Sequence, residues 1–264
     1  VEKPQIDPVT IDPSRQSTFA ADILAMDFEP IEPSFVEADK DYRRITFADG
    51  VELFYAPNPL NDLFTLSIGV DVGTEENDKL SLAAALMDVA GTASLSNEEL
   101  QKEWYRLGSS FNFGAGENAS GFSLSGLDEQ FEASLELMMS AIKQPATDDE
   151  TLEQLKSILI KSRQELKSSP PAIANALNLY NRYGEESPML ESLTTDEIKA
   201  TQLDELLSLP SDLLDYEHTL AYTGSMPLEQ LVEVLRRHHP LAGDLKQTPA
   251  YRFRTVREIS VNEV

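Results

Sequence analysis

The sequence predicts an α+β domain, a mixed and mostly antiparallel sheet with helices packed on one face. Two observations predict it. Short runs alternate apolar and polar residues on either side of turn signals, as half-buried strands do. Between and after them lie segments with helical apolar spacing, several opened by capping boxes, giving the order β-β-β-α-α-β-β-α-α-α-(α)-β-α.

Residues 1–40 carry Pro4, Pro8, Pro13, Pro30 and Pro33 without a sustained period, which suits an extended interdomain linker. The opening Val1-Glu2-Lys3-Pro4 has neither an initiator Met nor a targeting pattern, as expected of a piece of a longer polypeptide. A domain is expected over residues 41–240. Ile45 and Phe47 alternate up to Asp49-Gly50, and Val51, Leu53 and Tyr55 alternate away from it; Asp-Gly between two such runs is a strong hairpin signal. Leu63 to Val72 is apolar enough for a central strand. Leu80 to Ala90 is apolar nearly all round, which predicts a buried helix.

Ser96 and Glu99 form a capping box ahead of Leu100, Trp104 and Leu107, with Gly108 placed to end that helix. Phe111 and Phe113, then Phe122 and Leu124, alternate on either side of Gly114-Ala115-Gly116-Glu117-Asn118 and predict two strands joined by a loop. Phe131, Leu135, Met138, Met139 and Ile142 have helical spacing up to Pro145. A box of Thr147 and Glu150 opens a long helix through Leu152, Leu155, Leu159 and Leu166, and another helix runs from about Ala172 to Tyr183 before Gly184. Thr194 and Glu197 open a short helix, with a second near Leu203 to Leu209. Leu220 to Thr223 reads as a strand, and Pro227 as the first residue of a last helix through Leu231, Val234 and Leu235. Residues 241–264 are expected to connect toward a following domain, since Tyr251 to Val261 alternates like a strand.

Charge narrows the partners. With 21 Lys+Arg against 46 Asp+Glu the net charge is −25, and no local basic patch offsets it, so nucleic acid and anionic membranes are excluded as partners. No apolar run approaches the ~18 residues of a spanning helix. The absence of Cys removes disulfides, thiolate nucleophiles and Cys-based metal sites.

Three histidines remain, and none makes a convincing site. His238 and His239 are adjacent at a helix end and point about 100° apart, without a carboxylate at chelating spacing; they are read, with Arg236 and Arg237, as complementing the helix dipole. His218 is read as a surface-loop residue. Gly114-x-Gly116-x-x-x-x-Gly121 precedes a strand rather than a helix N-terminus and so is not a phosphate cradle. Glu75-Glu76 and Asp148-Asp149-Glu150 lack the alternating oxygens and central Gly of a calcium loop.

Taken in order, several landmarks carry a resemblance: Phe47-Ala48-Asp49-Gly50-Val51, then Gly69-Val70-Asp71-Val72-Gly73-Thr74-Glu75-Glu76, then Ala90-Gly91-Thr92, Leu107-Gly108-Ser109-Ser110-Phe111-Asn112, and finally Tyr183-Gly184 with Ser187-Pro188. From about Tyr42 to Pro240 the chain resembles the peptidase M16 family, the insulinase, pitrilysin and mitochondrial processing peptidase relatives. Active domains of that family carry H-x-x-E-H on the helix before the Gly-Thr pair, two His binding zinc and the Glu activating its water. The resemblance places the first His, the Glu and the second His at Leu82, Ala85 and Leu86, none of which can do that chemistry. The third ligand, a downstream Glu, falls near Gln164 or Glu165, and Tyr180, Arg182 and Tyr183 do not occupy the family's transition-state Arg and Tyr pattern.

The resemblance therefore implies no catalytic and no metal-ligating residue, no cofactor bound by this chain although active members hold zinc, and no activity of the chain alone. It implies a non-catalytic domain that helps enclose a peptide and forms a half-to-half interface. Its partners are a catalytic half or another M16-like domain and an extended peptide, with a scaffold or assembly subunit as the alternative. High acidity without Cys fits a bacterial periplasmic or cytoplasmic protein, and the family's exported bacterial members favour the periplasm.

Overall fold

The computed structural model describes residues 16–33, 35–239, 241 and 243–258. The chain divides into two units, residues 1–36 and residues 37–264. The first contains α1 (Thr18–Leu24), where the sequence predicts no element; the Ser17 hydroxyl accepts from the Ala20 N–H and supplies the helix with an N-cap.

The second unit runs β1 (Arg43–Ala48), β2 (Val51–Pro57), β3 (Leu63–Val70), α2 (Leu80–Met87), β4 (Gly91–Thr92), α3 (Asn97–Leu107), β5 (Ser110–Ala115), β6 (Ser120–Leu127), α4 (Phe131–Lys143), β7 (Pro145–Ala146), α5 (Asp149–Leu166), α6 (Pro170–Tyr183), α7 (Pro188–Glu191), α8 (Thr195–Ala200), α9 (Leu203–Leu213), β8 (His218–Gly224) and α10 (Leu228–His238). Single 3-10 turns precede α4 and follow α6. Six strands form one sheet in the order β1-β2-β8-β3-β6-β5, and β4 pairs with β7 in a separate two-stranded ladder. The β2–β8 pairing is parallel; every other pairing in the large sheet is antiparallel.

The β1–β2 turn sits at Asp49-Gly50, and Gly50 takes a φ of +74°, a conformation that favours glycine. Alternation does the rest. Val51, Leu53 and Tyr55 of β2, Phe64, Leu66, Ile68 and Val70 of β3, Phe122 and Leu124 of β6, and Leu220 and Tyr222 of β8 all point to one face and are buried. The helices cover that face. Phe131 of α4 packs edge-on against both Phe64 and Tyr222, and Leu80, Leu82 and Leu86 of α2 join the same core.

The capping boxes at Ser96/Glu99 and Thr194/Glu197 form with both reciprocal hydrogen bonds. The one expected at Thr147/Glu150 does not; Asp148 caps α5 instead, its carboxylate accepting from the Thr151 N–H. The expected strand over Tyr251 to Val261 also fails to appear. Through Glu258 it is irregular, its backbone donating from Arg257 to the Arg182 carbonyl at 2.8 Å and from Thr255 to the Glu186 carboxylate at 3.2 Å. Ile259 to Val261 lie outside the described residues.

Candidate functional site

Helix α2 is where the resemblance places a metal centre. Leu82 and Leu86 are buried in the core and Ala85 is half-buried. These three side chains offer no oxygen, nitrogen or sulfur donor, so the residues present do not fit zinc. Gln164 and Glu165 lie exposed on α5, and Glu165 sits 3.9 Å from Lys161. Among the described residues no three His, Asp or Glu side chains are placed to share a metal ion. Burying Leu on a helix stabilises the fold by about 1.5–3 kcal/mol per side chain, so α2 works here as packing material.

The opposite face of the sheet is the next candidate. Thr65 and Gly69 of β3, Ser123 of β6, and Thr219, Ala221 and Thr223 of β8 are exposed, while Ser67 and Ser125 are half-exposed. They meet across the ladders, Thr65 opposite both Ser125 and Thr223 and Ser67 opposite both Ser123 and Ala221. Small hydroxyl side chains leave this surface shallow and polar. Among the described residues the outer edges of β1 and β5 are unpaired in the sheet, and such an edge can accept an extended chain as an added strand.

One end of the sheet is built differently. Beyond β3 the chain hydrogen-bonds to the β5–β6 loop, Thr74 N–H to the Gly116 carbonyl at 2.9 Å and Glu75 N–H to the Glu117 carbonyl at 3.0 Å. Gly73 permits this approach, because a Cβ there would lie 2.2 Å from the Glu117 carbonyl oxygen. The guanidinium of Arg254, its side chain 8% exposed, inserts beside this junction. It donates to Glu117, to Glu191 at 2.6 Å and to the Glu186 carbonyl, and lies 2.8 Å from Glu75. Burial alone would favour the neutral guanidine; the hydrogen bonds that it donates to Glu191 and Glu117 outweigh it, so Arg254 is held charged more firmly than usual. Arg254 in turn draws the Glu191 carboxyl below its ordinary range.

The histidines depart from expectation. His218 does not lie in a surface loop: it opens β8, its N–H donates to the Gly50 carbonyl at 3.1 Å, and strand alternation turns its ring inward to 5% exposure. There it meets His239, 2% exposed, with the two Nε2 atoms 2.8 Å apart. His239 does not complement the α10 dipole as a cation, because burial, then the neighbouring His218 and Lys143, press its pKa down to about 3. Burial also lowers His218, against a hydrogen bond with the Tyr216 carbonyl. His238 bonds Glu132 at 3.0 Å and draws that carboxyl down.

Sequence reasoning missed both clusters. Alternation around Leu220, extended two residues back, was the available signal for His218; the arginine cluster draws on residues from Glu75 to Arg254 and leaves no local signature.

No protein-family model matches the sequence, and no curated protein is similar to it at sequence level. Solved structures are. The periplasmic protease PqqL from Escherichia coli aligns at TM-score 0.70 and 14% identity over 98% of this chain and 29% of its own. The ferredoxin protease FusC, solved with Arabidopsis ferredoxin, aligns at TM-score 0.67 and 16% identity over 94% of this chain and 28% of its own. A peptidase M16 inactive domain from Pseudomonas fluorescens aligns at TM-score 0.65 and 16% identity over 79% of this chain and 53% of its own. The chain therefore has the fold of M16 peptidase domains, inactive ones included, and spans about half or less of the length of these structures.

Proposed function

We propose that the chain is a non-catalytic domain of an M16-like peptidase, forming one wall of a chamber that a catalytic half closes around a peptide. The observation that carries this reading is helix α2: an M16-type fold in which Leu82, Ala85 and Leu86 stand where zinc chemistry would need donors. On this reading the chain binds no zinc of its own. The shallow hydroxyl-lined sheet face and the open strand edges suit transient contact with an extended peptide. The net charge of −25 draws basic peptides toward the protein at long range. Two of the aligned structures are proteases, one periplasmic and one solved with a protein, ferredoxin; both facts favour a periplasmic domain acting with a catalytic half on a protein-derived substrate.

A second reading, a scaffold subunit without proteolytic role, draws on α6. That helix has no fully buried residue and shows Ile173, Leu177 and Tyr180 along one exposed face, as a helix awaiting an assembly partner would.

Zinc content by elemental mass spectrometry after dialysis against a weak chelator tests the first reading. Well under 0.1 zinc per chain, on the order of background, is expected, together with no peptide hydrolysis by the chain alone. Stoichiometric zinc would overturn it.

A further inference from the structure

Residues 170–192, from α6 through α7, are attached to the domain by unusual means. None of them belongs to the hydrophobic core, and the half-buried Leu179 and Tyr183 of α6 are not packed against it, whereas Leu159 and Ile160 before the segment are and Leu193 just after it is part of the core. α6 packs chiefly against the 3-10 turn and the short α7 that follow it. Ile173, Leu177, Tyr180, Met189 and Leu190 are exposed. Tertiary burial of an apolar face is what ordinarily fixes a helix in place, and this segment has almost none.

Hydrogen bonds take over that role, and they lead to one stretch of chain. Among the described residues, every hydrogen bond that ties the segment to the chain beyond its own flanks is made by residues 252–257. Arg254 donates to the Glu186 carbonyl and to the Glu191 carboxylate at 2.6 Å, and Arg252 donates to Glu191 at 3.4 Å. The Thr255 N–H donates to the Glu186 carboxylate at 3.2 Å and the Arg257 N–H to the Arg182 carbonyl at 2.8 Å. The Arg257 side chain lies across Gly184, where a Cβ would come within 2.8 Å of its Cδ. The guanidinium of Arg254 also reaches the other way, donating to Glu117 in the β5–β6 loop and lying 2.8 Å from Glu75. It therefore joins the segment to the end of the sheet.

We infer that residues 252–257 are a strap that latches residues 170–192 against the sheet end as one movable arm, with Arg254 as its pin. The charges give the latch two states. With the guanidinium in place, Glu75, Glu117 and Glu191 are each paired with it. With it gone, the same three carboxylates face one another across the joint, Glu75 with a side chain only 4% exposed, and like charges brought together out of water repel strongly. Of the three, Glu191 alone belongs to the arm, so the repulsion drives the arm away from the sheet. Little burial opposes that motion, and the arm opens as a local unit of low stability while the core stays folded. Closed, the strap fixes the direction in which Ile173, Leu177 and Tyr180 face; open, that direction is free. The inference stands apart from the zinc and peptide readings above.

Hydrogen exchange on the full chain, read by mass spectrometry, tests it. Arg254→Ala is expected to raise amide exchange at least about tenfold across residues 173–191 while β3 and β6 keep their protection. Arg254→Lys, which keeps the charge and loses the planar fork, is expected to fall between the two. Adding Glu191→Gln to Arg254→Ala removes the repulsion and is expected to return part of the protection. The chain has no cysteine, so a nitroxide pair on Gln101→Cys and Asn178→Cys reports the arm directly: a narrow distance distribution in the unaltered chain and a broad one with Arg254→Ala. Unchanged exchange in α6 would overturn the latch. So would an equal rise in β3 and β6, which would make Arg254 a stabiliser of the whole fold. If Arg254→Ala fails to fold by circular dichroism, Arg254→Lys decides, and an arm as well protected there as in the unaltered chain overturns the inference.

Discussion

The Nε2 atoms of His218 and His239 lie 2.8 Å apart inside the core, one at the start of β8 and one just past the end of α10. One ring must donate and the other accept, so the pair is satisfied while both are neutral and loses its hydrogen bond when both are protonated. The Nδ1 of His239 has no partner among the described residues, so a proton added there would find no acceptor.

This geometry predicts a pH dependence of stability. The folded pKa of His239, about 3, lies below the ~6.5 of an unfolded histidine, so between those values the unfolded chain binds a proton that the folded chain refuses. Stability is kept above pH ~6.5 and falls as pH drops toward 3, by up to about 1.4 kcal/mol per pH unit. Urea denaturation at pH 7, 6, 5 and 4 should show a shallower decline for His239→Gln than for the unaltered chain. Parallel declines would assign the acid sensitivity to carboxylates instead.

Leu86, 1% exposed on α2, should behave as a core residue. Leu86→Ala is expected to cost about 2–5 kcal/mol of unfolding free energy, read by denaturant titration. A loss under about 0.5 kcal/mol would place α2 at a surface and return it to consideration as a cleft-lining helix.

Gly73→Ala tests the junction that positions Glu75. The added methyl would meet the Glu117 carbonyl oxygen at 2.2 Å and the Gly116 carbonyl oxygen at 2.6 Å, both backbone atoms that cannot step aside cheaply. The expected cost is about 1–3 kcal/mol. Amide exchange should rise at Thr74 and Glu75, whose N–H groups are bonded across that junction; unchanged exchange would mean the loop absorbs the methyl.

Ser96→Ala removes the hydroxyl that accepts from the Glu99 N–H at 3.4 Å and donates to the Glu99 carboxylate at 2.7 Å, and leaves the backbone N–H of residue 96 to donate to that carboxylate. About 1 kcal/mol of stability should be lost. The side-chain hydrogen bond from Ser96 also holds the Glu99 carboxyl below its ordinary pKa, and carboxyl titration by NMR should find it higher in the variant.

Much of this architecture was legible in the sequence because its causes are local. Asp49-Gly50, the Ser96 and Thr194 boxes and the alternation from Val51 to Tyr55 each carry a turn or a period within a few residues. Asp148 displaced Thr147 as a cap because both are good N-cap residues one position apart, and only the helix register chooses between them. Tyr251 to Glu258 alternates as strands do, yet its partners are the carboxylate of Glu186 and the carbonyl of Arg182 rather than a neighbouring strand. Periodicity reports which side chains share a face and is silent on what the backbone meets. The arginine cluster was out of reach for the same reason, since the carboxylates that receive Arg254 come from three separate elements of the chain.

The place of β8 in the sheet has a consequence for how the molecule is made. That strand pairs with β2 on one side and β3 on the other, so among the described residues the hairpin of β1 and β2 is hydrogen-bonded into the sheet only through residues 218–224. Five strands of this sheet precede in sequence the one that joins them, so β3, β6 and β5 can pair with one another while Val51 and Leu53 of the hairpin still lack their neighbour strand. A chain stopped short of His218 lacks the strand that joins the hairpin to β3, and is expected not to reach the six-stranded sheet.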